Sequence, residues 1–178
     1  MSKILVITGA SRGIGNALVQ LASAYGHHVY ALSRNISSIK KTAQVYPVEI
    51  DITDENTLSV FLGLLQKEEV KIDVLINNAG VLINKPFAET TAEDFELLYR
   101  VNVFGLASLT RMLIPQIDPN GHVVNISSIG GIDGSSKFPG LAAYSSSKGA
   151  VNILTELLAE EYKVTGPAFN SLALGAVQ

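Results

Sequence analysis

A tyrosine and a lysine at helical spacing are the residues of this chain best suited to proton chemistry. They stand in Tyr144-Ser-Ser-Ser-Lys148, within a stretch that the sequence predicts to be one helix, Ala142–Lys163. Residues four positions apart lie on the same face of a helix. An ammonium that close favours the phenolate, so we expect Lys148 to lower the pKa of Tyr144. The pair predicts that Tyr144 is a proton donor, although the same spacing also occurs by chance on helix surfaces.

The same stretch allows a second interpretation, which the rest of the chain excludes. Ser145-Ser-Ser-Lys148 has the S-x-x-K spacing of penicillin-binding proteins and class A β-lactamases. Those acyl-transferring enzymes also need S-D-N and K-T-G motifs, and neither occurs in this sequence. We therefore set aside serine acyl transfer.

A glycine-rich turn near the start of the chain predicts a site for a pyrophosphate. Gly9, Gly13 and Gly15 follow a predicted strand and open a predicted helix. Glycines there let the backbone approach an anion, which the helix N-terminus favours. The spacing is G-x-x-x-G-x-G, unlike the commoner dinucleotide motif, and Asn16 stands where a phosphate-binding P-loop requires lysine. The alternative is that these glycines only form the strand-to-helix turn.

Polar residues at the ends of the next strands predict contacts to the rest of a dinucleotide. Ser33 and Arg34 end the second strand, where NAD-binding proteins often carry an acid. Arg34 and Arg12 could instead pair with a 2′-phosphate, which favours NADP(H) and leaves NAD(H) possible. The other interpretation is two solvated arginines. Asp51, after the third strand, either accepts from an adenine amino group or flanks a helix.

The order of apolar and amphipathic segments predicts a fold of the Rossmann type. Short apolar runs alternate with helical stretches, as in a doubly wound α/β protein whose parallel sheet has helices on both faces. We expect one domain over residues 1–178. The predicted strands are Ile4–Thr8, Val29–Ser33, Val45–Ile50, Val74–Asn77, His122–Ser127 and Ala168–Leu174, and the predicted helices are Gly13–Tyr25, Ser37–Lys41, Thr53–Gln66, Ala92–Ile114 and Ala142–Lys163.

Two local signals refine that prediction. Thr91-Ala-Glu-Asp94 has the spacing of a capping box and should start the fourth helix, which Pro115 and the turn Pro119–Gly121 should end. The stretch 129–141 is irregular and glycine-rich. A loop of that length in a compact domain is usually functional, and here it connects Ser128 to Tyr144.

Composition narrows the classes of partner. The chain has 178 residues, 47% of them hydrophobic and 16% charged, with a formal net charge of −3. An acidic balance argues against nucleic acid and anionic membranes as main partners. With no cysteine, and with only the histidines His27, His28 and His122 and no acidic cluster, the sequence predicts no metal site. We expect a cytoplasmic protein.

Five motifs together resemble the short-chain dehydrogenase/reductase family, over Lys3 to Val177. They are the T-G-x-x-x-G-I-G turn at Thr8–Gly15, N-N-A-G at Asn77–Gly80, N-x-x-G at Asn102–Gly105, a strand ending in serine at Val123–Ser128, and Y-x-x-x-K at Tyr144–Lys148. The resemblance implies the strand order 3-2-1-4-5-6. It also implies that Tyr144 is the general acid/base and that Lys148 lowers its pKa and binds the nicotinamide ribose.

The resemblance assigns roles to further residues. Ser128 would polarise the carbonyl, with Ser127 as a second choice, and Asn102 would hold a water of the proton relay. A cofactor would contact Gly9, Ser11, Arg12, Gly13, Ile14, Gly15, Ser33, Arg34, Asp51, Ile52, Asn78, Ala79, Gly80, Tyr144, Lys148, Gly175 and Val177.

The chain departs from the family pattern near its end. Leu174-Gly175 stands where the family has proline and glycine, and a threonine expected after Val177 would lie past Gln178. We expect a fragment or a chain shortened at its C-terminal elements. The loop between Ser128 and Tyr144 is also longer than in many family members, which predicts an unusual substrate entrance.

The predicted function is NADP(H)-dependent interconversion of a carbonyl and a secondary alcohol on a small molecule. Two alternatives remain open: a dinucleotide-binding regulatory protein without catalysis, and an isomerase or lyase on the same scaffold. The resemblance further implies a homo-oligomer formed by the fourth and fifth helices. Apolar positions that could line its interface, or else pack on the sheet, are Leu106, Leu109, Leu113, Val151, Leu154 and Leu158.

Overall fold

The predicted strands form one six-stranded sheet. A computed structural model describes residues 1–175. The strands are β1 (Ile4–Thr8), β2 (His28–Ser33), β3 (Val45–Glu49), β4 (Ile72–Asn77), β5 (Ile117–Ser128) and β6 (Ala168–Leu174). Neighbouring strands are parallel and their order is β3-β2-β1-β4-β5-β6, which confirms the Rossmann-type prediction. The carboxyl ends of the strands therefore meet at one edge of the sheet, where ligands bind in such folds.

Helices cover both faces of this sheet. They are α1 (Gly13–Ala24), α2 (Glu55–Lys67), α3 (Ala92–Tyr99), α4 (Leu106–Leu113) and α5 (Ala142–Tyr162). Side chains of β1 alternate between two cores, as the pleat requires: Leu5 and Ile7 pack with Val19 of α1, whereas Val6 packs with Phe61 of α2 and residues of α4. Apolar burial on both faces explains why the strands are nearly continuous hydrophobic runs.

The fourth predicted helix begins where the sequence indicates but is not continuous. Thr91 and Asp94 form the capping box, with a hydrogen bond of 3.3 Å from Asp94 N to Thr91 Oγ1. Between α3 and α4, however, Arg100–Gly105 adopt a π-helical turn around Asn102. Gly105 lies against Ile52, and a Cβ on Gly105 would be 2.9 Å from Ile52 Cγ1. This close approach explains the glycine of the N-x-x-G motif.

Two local predictions are wrong. The stretch Ser37–Lys41 forms turns instead of a helix, because Ile39 is drawn into the core beside α1. The predicted turn at Pro119–Gly121 lies inside β5, which starts at Ile117. There Asp118 Oδ1 accepts a 2.7 Å hydrogen bond from Asn120 N, and the pairing with β4 shifts register between Ile72 and Val74.

The segment Ala92–Gln116 combines length with an apolar composition. It is 25 residues long and contains an 18-residue window with a mean hydropathy of 1.3, enough to cross a membrane by length and composition alone. In this fold its apolar side chains Leu98, Leu106, Leu109 and Leu113 are buried. The core accounts for part of this hydropathy, since 39% of the window is buried. Cytoplasmic location stays a prediction.

Candidate active site

A first cavity lies over the glycine-rich turn at the carboxyl ends of β1 to β4. Its volume is about 280 Å³. Eleven of the predicted cofactor residues line it: Gly9, Ser11, Arg12, Gly13, Ser33, Arg34, Asp51, Ile52, Asn78, Ala79 and Gly80. Ile50, Val81 and Val101 complete the wall and were missed, because single apolar residues carry no motif.

The glycine-rich turn is held in shape by the N-N-A-G segment. Gly9 has φ +66°, a left-handed conformation that favours glycine. Asn78 Nδ2 donates to the backbone oxygens of Thr8, at 2.9 Å, and Gly9, at 3.3 Å. A Cβ on Gly15 would lie 2.3 Å from Gly9 O, so that position also excludes side chains. Asn78 thus satisfies backbone groups of this turn.

Two exposed arginines face this cavity. Arg12 directly precedes α1, and Arg34 follows β2. Both line the cavity, and within residues 1–175 neither makes an ion pair with a carboxylate. Two guanidinium groups at the ends of neighbouring elements make one side of the cavity electropositive, as a phosphate group requires.

Asp51 lies in the same wall, and its hydrogen bonds leave room for a ligand. Oδ1 accepts from Thr53 N at 2.9 Å and from Thr53 Oγ1 at 2.8 Å. Asp54, rather than Asp51, is the N-cap of α2. Because both bonds end on Oδ1, Oδ2 can still accept a hydrogen bond from an amino group.

A second cavity, of about 430 Å³, lies on the other side of the first turn of α1. Ser128 at the end of β5 and Tyr144 in α5 line it, together with the predicted cofactor residues Ile14 and Gly175. Ser127 also reaches this wall, but it is buried and its Oγ donates to Lys148 O at 3.1 Å. Ser128 therefore has the hydroxyl that can serve a ligand, which supports choosing Ser128 over Ser127. Val177 lies outside the described residues.

Lys148 is buried next to residues of both cavities, since Ile126 lines the second and a Cβ on Gly80, which lines the first, would lie 3.6 Å from Lys148 Nζ. Its side chain is 4% exposed, and Nζ donates a 2.7 Å hydrogen bond to Ile126 O. Burial lowers the pKa of Lys148 to about 8, because the desolvated ammonium is disfavoured. An ammonium has three donors, so two remain for other acceptors.

The Tyr144 phenol is shifted in the direction opposite to the sequence prediction. Burial raises its pKa above the ordinary value, and the neighbouring Ser128 hydroxyl opposes part of that rise by favouring the phenolate. Lys148 Nζ lies 5.9 Å from the centre of the Tyr144 ring. The prediction that Lys148 lowers the pKa of Tyr144 is therefore wrong for this structure, because burial dominates and the opposing group is Ser128, not the lysine.

Asn102 is fully buried and joins two elements of the site. Its Nδ2 donates to Val81 O and to Ser147 Oγ, both at 3.0 Å, and its Oδ1 accepts from Val81 N at 2.8 Å. Ser147 Oγ in turn donates to Tyr144 O at 2.7 Å. Both amide donors are thus used, and only one lone pair of Oδ1 remains for a water. The proton relay through Asn102 stays a prediction.

Ser147 is a residue of the candidate site that the motif did not single out. It is fully buried and bonds both Asn102 and the backbone oxygen of Tyr144. Its place three residues after Tyr144 was a usable signal, because a hydroxyl one turn along the helix faces the same neighbours. The sequence alone does not distinguish Ser147, because Ser145 and Ser146 beside it carry the same hydroxyl group.

The irregular connection between Ser128 and Tyr144 is an ordered loop packed on α5. It begins with a 3₁₀ turn at Ile129–Gly131. A Cβ on Gly131 would be 2.5 Å from Gly149 N, so the loop and the helix backbone touch there. Lys137 Nζ donates to Gly130 O at 3.1 Å. The loop thus fixes Ser128 relative to Tyr144 and Lys148.

The helix positions proposed for an interface belong mostly to the core. Leu106, Leu109, Leu113 and Val151 are at most 2% exposed, and Leu158 packs against the main core. Leu154 is half-buried. The large apolar side chains that α3, the π-helical turn and α5 expose are Leu97, Phe104, Ile153 and Leu157.

Side chains that could ligate a metal do not cluster in the described part of the chain. Within residues 1–175 no three His, Cys, Asp or Glu side chains come together as a metal site would require. His122 Nε2 lies 2.5 Å from Asn170 Oδ1, and His27 Nδ1 accepts from Lys3 N at 3.2 Å.

Comparison with known families decides the assignment. Residues 3–178 match the family model described as short chain dehydrogenase. The chain belongs to this family. Short chain dehydrogenases and reductases act on alcohol or carbonyl groups with NAD(P), so the chain is an oxidoreductase by family.

Individual relatives agree with the family assignment. The 2-(R)-hydroxypropyl-CoM dehydrogenase of Xanthobacter autotrophicus is 32% identical, with 100% of this chain and 76% of the relative aligned. A solved short-chain dehydrogenase from Streptomyces avermitilis superposes with a TM-score of 0.91 at 34% identity, covering 100% of this chain and 67% of that one. A 4-hydroxyisoleucine dehydrogenase solved with NADH has a TM-score of 0.89 at 28% identity, covering 99% and 74%.

Proposed function

We propose that this short chain dehydrogenase uses NADP(H) in preference to NAD(H) to interconvert a carbonyl and a secondary alcohol, with Tyr144 as general acid/base. One observation carries the proposal. The hydroxyl-bearing residues Ser128 and Tyr144 line a single cavity, and the first turn of α1 separates it from the cavity lined by Arg12 and Arg34. A dinucleotide lying across that turn would bring its two ends to the two cavities.

The chain's own residues fit such a cofactor. Above Gly13 there is open space, since a Cβ there would meet no atom within 4 Å, and its φ of +55° leaves the turn open to an anion. Arg12 and Arg34 would hold the 2′-phosphate, and Asp51 Oδ2 would accept from the adenine amino group. On the other side, Gly175 lines the cavity where the nicotinamide would lie. Lys148 would donate to the adjoining ribose with its remaining donors.

When bound, the reduced nicotinamide supplies a hydride to the carbonyl carbon. The Ser128 hydroxyl donates a hydrogen bond to the carbonyl oxygen and stabilises the charge that develops there. The Tyr144 hydroxyl gives its proton to the same oxygen and is re-protonated from solvent. The balance is carbonyl plus NADPH plus one proton to alcohol plus NADP⁺, and in the other direction Tyr144 accepts the proton.

The raised pKa of Tyr144 suits the reductive direction. A phenol with a pKa above its ordinary value stays protonated at neutral pH and is ready to donate. Alcohol oxidation needs the phenolate, so its rate should rise with pH toward the pKa of Tyr144. We therefore propose reduction as the favoured direction near pH 7.

A fluorescence titration with NADPH and, in parallel, NADH tests the cofactor, and a panel of carbonyl compounds follows it. Saturable binding that favours NADPH, with loss of NADPH absorbance on adding a carbonyl, supports the proposal. Binding without turnover on any carbonyl indicates a regulatory protein. Product formed with no net loss of NADPH indicates an isomerase or lyase.

We further propose that the protein is a homodimer through α3, the π-helical turn and α5. Leu97, Phe104, Ile153 and Leu157 are 47 to 63% exposed there, an arrangement that a partner subunit would cover. Sedimentation of Phe104→Lys and Leu157→Lys variants tests this. Dimers of the unaltered protein that these changes dissociate would support the interface, and a monomer at micromolar concentration would contradict it.

A further inference from the structure

The wall of the second cavity is apolar apart from the groups that serve the reacting oxygen. Leu82, Ile129, Phe138, Leu141 and Leu174 line it. The polar side chains in the lining are Ser127, Ser128 and Tyr144, and Ser127 already donates to a backbone carbonyl. The described residues therefore offer two hydroxyls to a ligand, enough to hold one oxygen atom.

Charged side chains near the entrance of the second cavity already have hydrogen-bond or ion-pair partners within the chain. Lys85 Nζ lies 2.8 Å from Asp94 Oδ2. Asp133 Oδ1 accepts a 2.9 Å hydrogen bond from Gly134 N. Lys148, at the base, is 4% exposed and bonded to a backbone oxygen.

Lys137 is the remaining cation beside this wall, and it is folded into its own loop. Its Nζ donates to Gly130 O at 3.1 Å, to Ser135 Oγ at 2.9 Å and to Ile132 O. These three acceptors match the three donors of an ammonium. An anionic group on a ligand would have to break one of these sets of bonds, or compete with the cofactor ribose for the two remaining donors of Lys148, to find a cation among the described residues.

The two segments that form the wall are joined to each other. Lys85 N donates to Gly140 O at 2.9 Å, which ties the segment after β4 to the loop before α5. Leu82 and Phe138 stand on these two segments and are 56% and 52% exposed. Their exposure leaves apolar area at the entrance that a ligand can cover, at about 25 cal/mol per Å².

We propose that the substrate of this site is a neutral ketone or secondary alcohol whose carbon skeleton beside the reacting carbon is apolar. Oxo acids and substrates with a phosphate near the carbonyl are disfavoured, because among the described residues a desolvated anion beside this wall finds no cation other than Lys148, whose remaining donors are assigned to the cofactor ribose. The inference rests on the proposed function for the carbonyl chemistry, and on the cavity alone for the preference between neutral and anionic ligands.

A binding experiment tests the preference between neutral and anionic ligands separately from the carbonyl chemistry. Cyclohexanecarboxamide and cyclohexanecarboxylate share a ring and a carbonyl oxygen and differ in charge, so each is titrated calorimetrically into the protein, with and without NADPH. We expect the amide to bind at least tenfold more tightly than the carboxylate. Equal affinity, tighter binding of the carboxylate, or binding of neither compound would overturn the proposal.

A pair of matched variants assigns the preference to this cavity. Phe138→Arg places a cation at the entrance and should tighten carboxylate binding about tenfold. Val60→Arg adds the same charge on α2, where Val60 is 76% exposed and distant from the cavity, and should change neither affinity. If Phe138→Arg leaves the ratio of the amide and carboxylate affinities unaltered, the ligands bind elsewhere and the proposal is wrong.

Turnover then tests the function separately. Methyl 4-oxocyclohexanecarboxylate and the free acid differ in the same way, and we expect the ester to have a kcat/KM at least tenfold higher. A preference for the amide in binding with reduction of neither ketone would leave the ligand preference intact and reject the oxidoreductase proposal. A higher kcat/KM for the acid would overturn the substrate class.

Discussion

Lys148 Nζ lies 5.9 Å from the centre of the Tyr144 ring and donates its short hydrogen bond, 2.7 Å long, to Ile126 O instead of to the phenol. The two residues share a helix face, as their spacing predicts, but burial dominates the electrostatics of both. It lowers the pKa of Lys148 and raises that of Tyr144. Each shift favours the neutral form, but a pKa of about 8 leaves Lys148 mostly protonated at pH 7, whereas Tyr144 is neutral there.

The buried lysine should cost stability below its pKa. The pKa of Lys148 falls from 10.5 to about 8 in the folded chain, so the unfolded state binds more protons between those values. The stability cost is fully present below pH 8 and disappears as pH rises toward 10.5. In Lys148→Met, measured by urea unfolding without cofactor, the stability relative to wild type should therefore fall by about 2 kcal/mol between pH 7 and pH 10. A difference that does not change with pH would contradict the pKa shift.

The arginines of the first cavity should discriminate between cofactors. Arg34→Ala should raise the Kd for NADPH roughly tenfold to a hundredfold, since one charge-assisted contact is lost, and leave the Kd for NADH within twofold. Arg111→Ala is the control, because Arg111 is exposed on α4 and pairs with Glu55 at 3.4 Å. If Arg34→Ala weakened the binding of NADPH and NADH equally, Arg34 would not recognise the 2′-phosphate.

Ser147 should matter although it does not touch the cavity. Ser147→Ala leaves Asn102 Nδ2 buried without its partner, which should lower the free energy of unfolding by about 1–3 kcal/mol. It should also reduce kcat more than it changes KM, because Ser147 positions the turn of Tyr144. Ser146→Ala, on the exposed side of the same helix, should shift stability by less than about 0.5 kcal/mol. Identical behaviour of the two variants would show that Ser147 is an ordinary helix residue.

Two glycine substitutions should act in opposite directions. A Cβ on Gly131 would lie 2.5 Å from Gly149 N, so Gly131→Ala must push the loop away from α5, at about 1–3 kcal/mol. At Gly63 in α2 a Cβ would meet nothing within 4 Å, so Gly63→Ala should stabilise the chain by about 0.5–1 kcal/mol. Thermal unfolding measures both, and a stabilising Gly131→Ala would contradict the close packing of the loop.

The sequence predicted the sheet and the edge where the site lies for physical reasons. A buried parallel strand is a continuous apolar run, and glycine or asparagine at its end marks the turn, so β1 is found with the bounds predicted. The bounds of β6, an edge strand with polar residues, also match the prediction. The sequence predicted Gly9 and Ser128 at the site because both stand at the ends of apolar runs. The parallel order of the strands brings these ends to one edge of the sheet.

Other features depend on tertiary contacts that no local pattern contains. The π-helical turn at Asn102 depends on hydrogen bonds to Val81 and Ser147, residues far apart in sequence. Leu106 and Phe104 both suit an interface by type, and only packing decides that Leu106 is buried and Phe104 is 61% exposed. The pKa of Tyr144 likewise depends on burial, which helical spacing does not measure.

The most direct test of the central claim is deuterium transfer from NADPH labelled at the nicotinamide C4 to a neutral ketone, comparing the unaltered protein with Tyr144→Phe. We predict that the protein delivers deuterium to the carbinol carbon of the product. In Tyr144→Phe the rate should fall at least a hundredfold, while the Kd for NADPH changes by less than about twofold. Transfer at an undiminished rate in Tyr144→Phe, or no label in the product of the unaltered protein, would contradict the account.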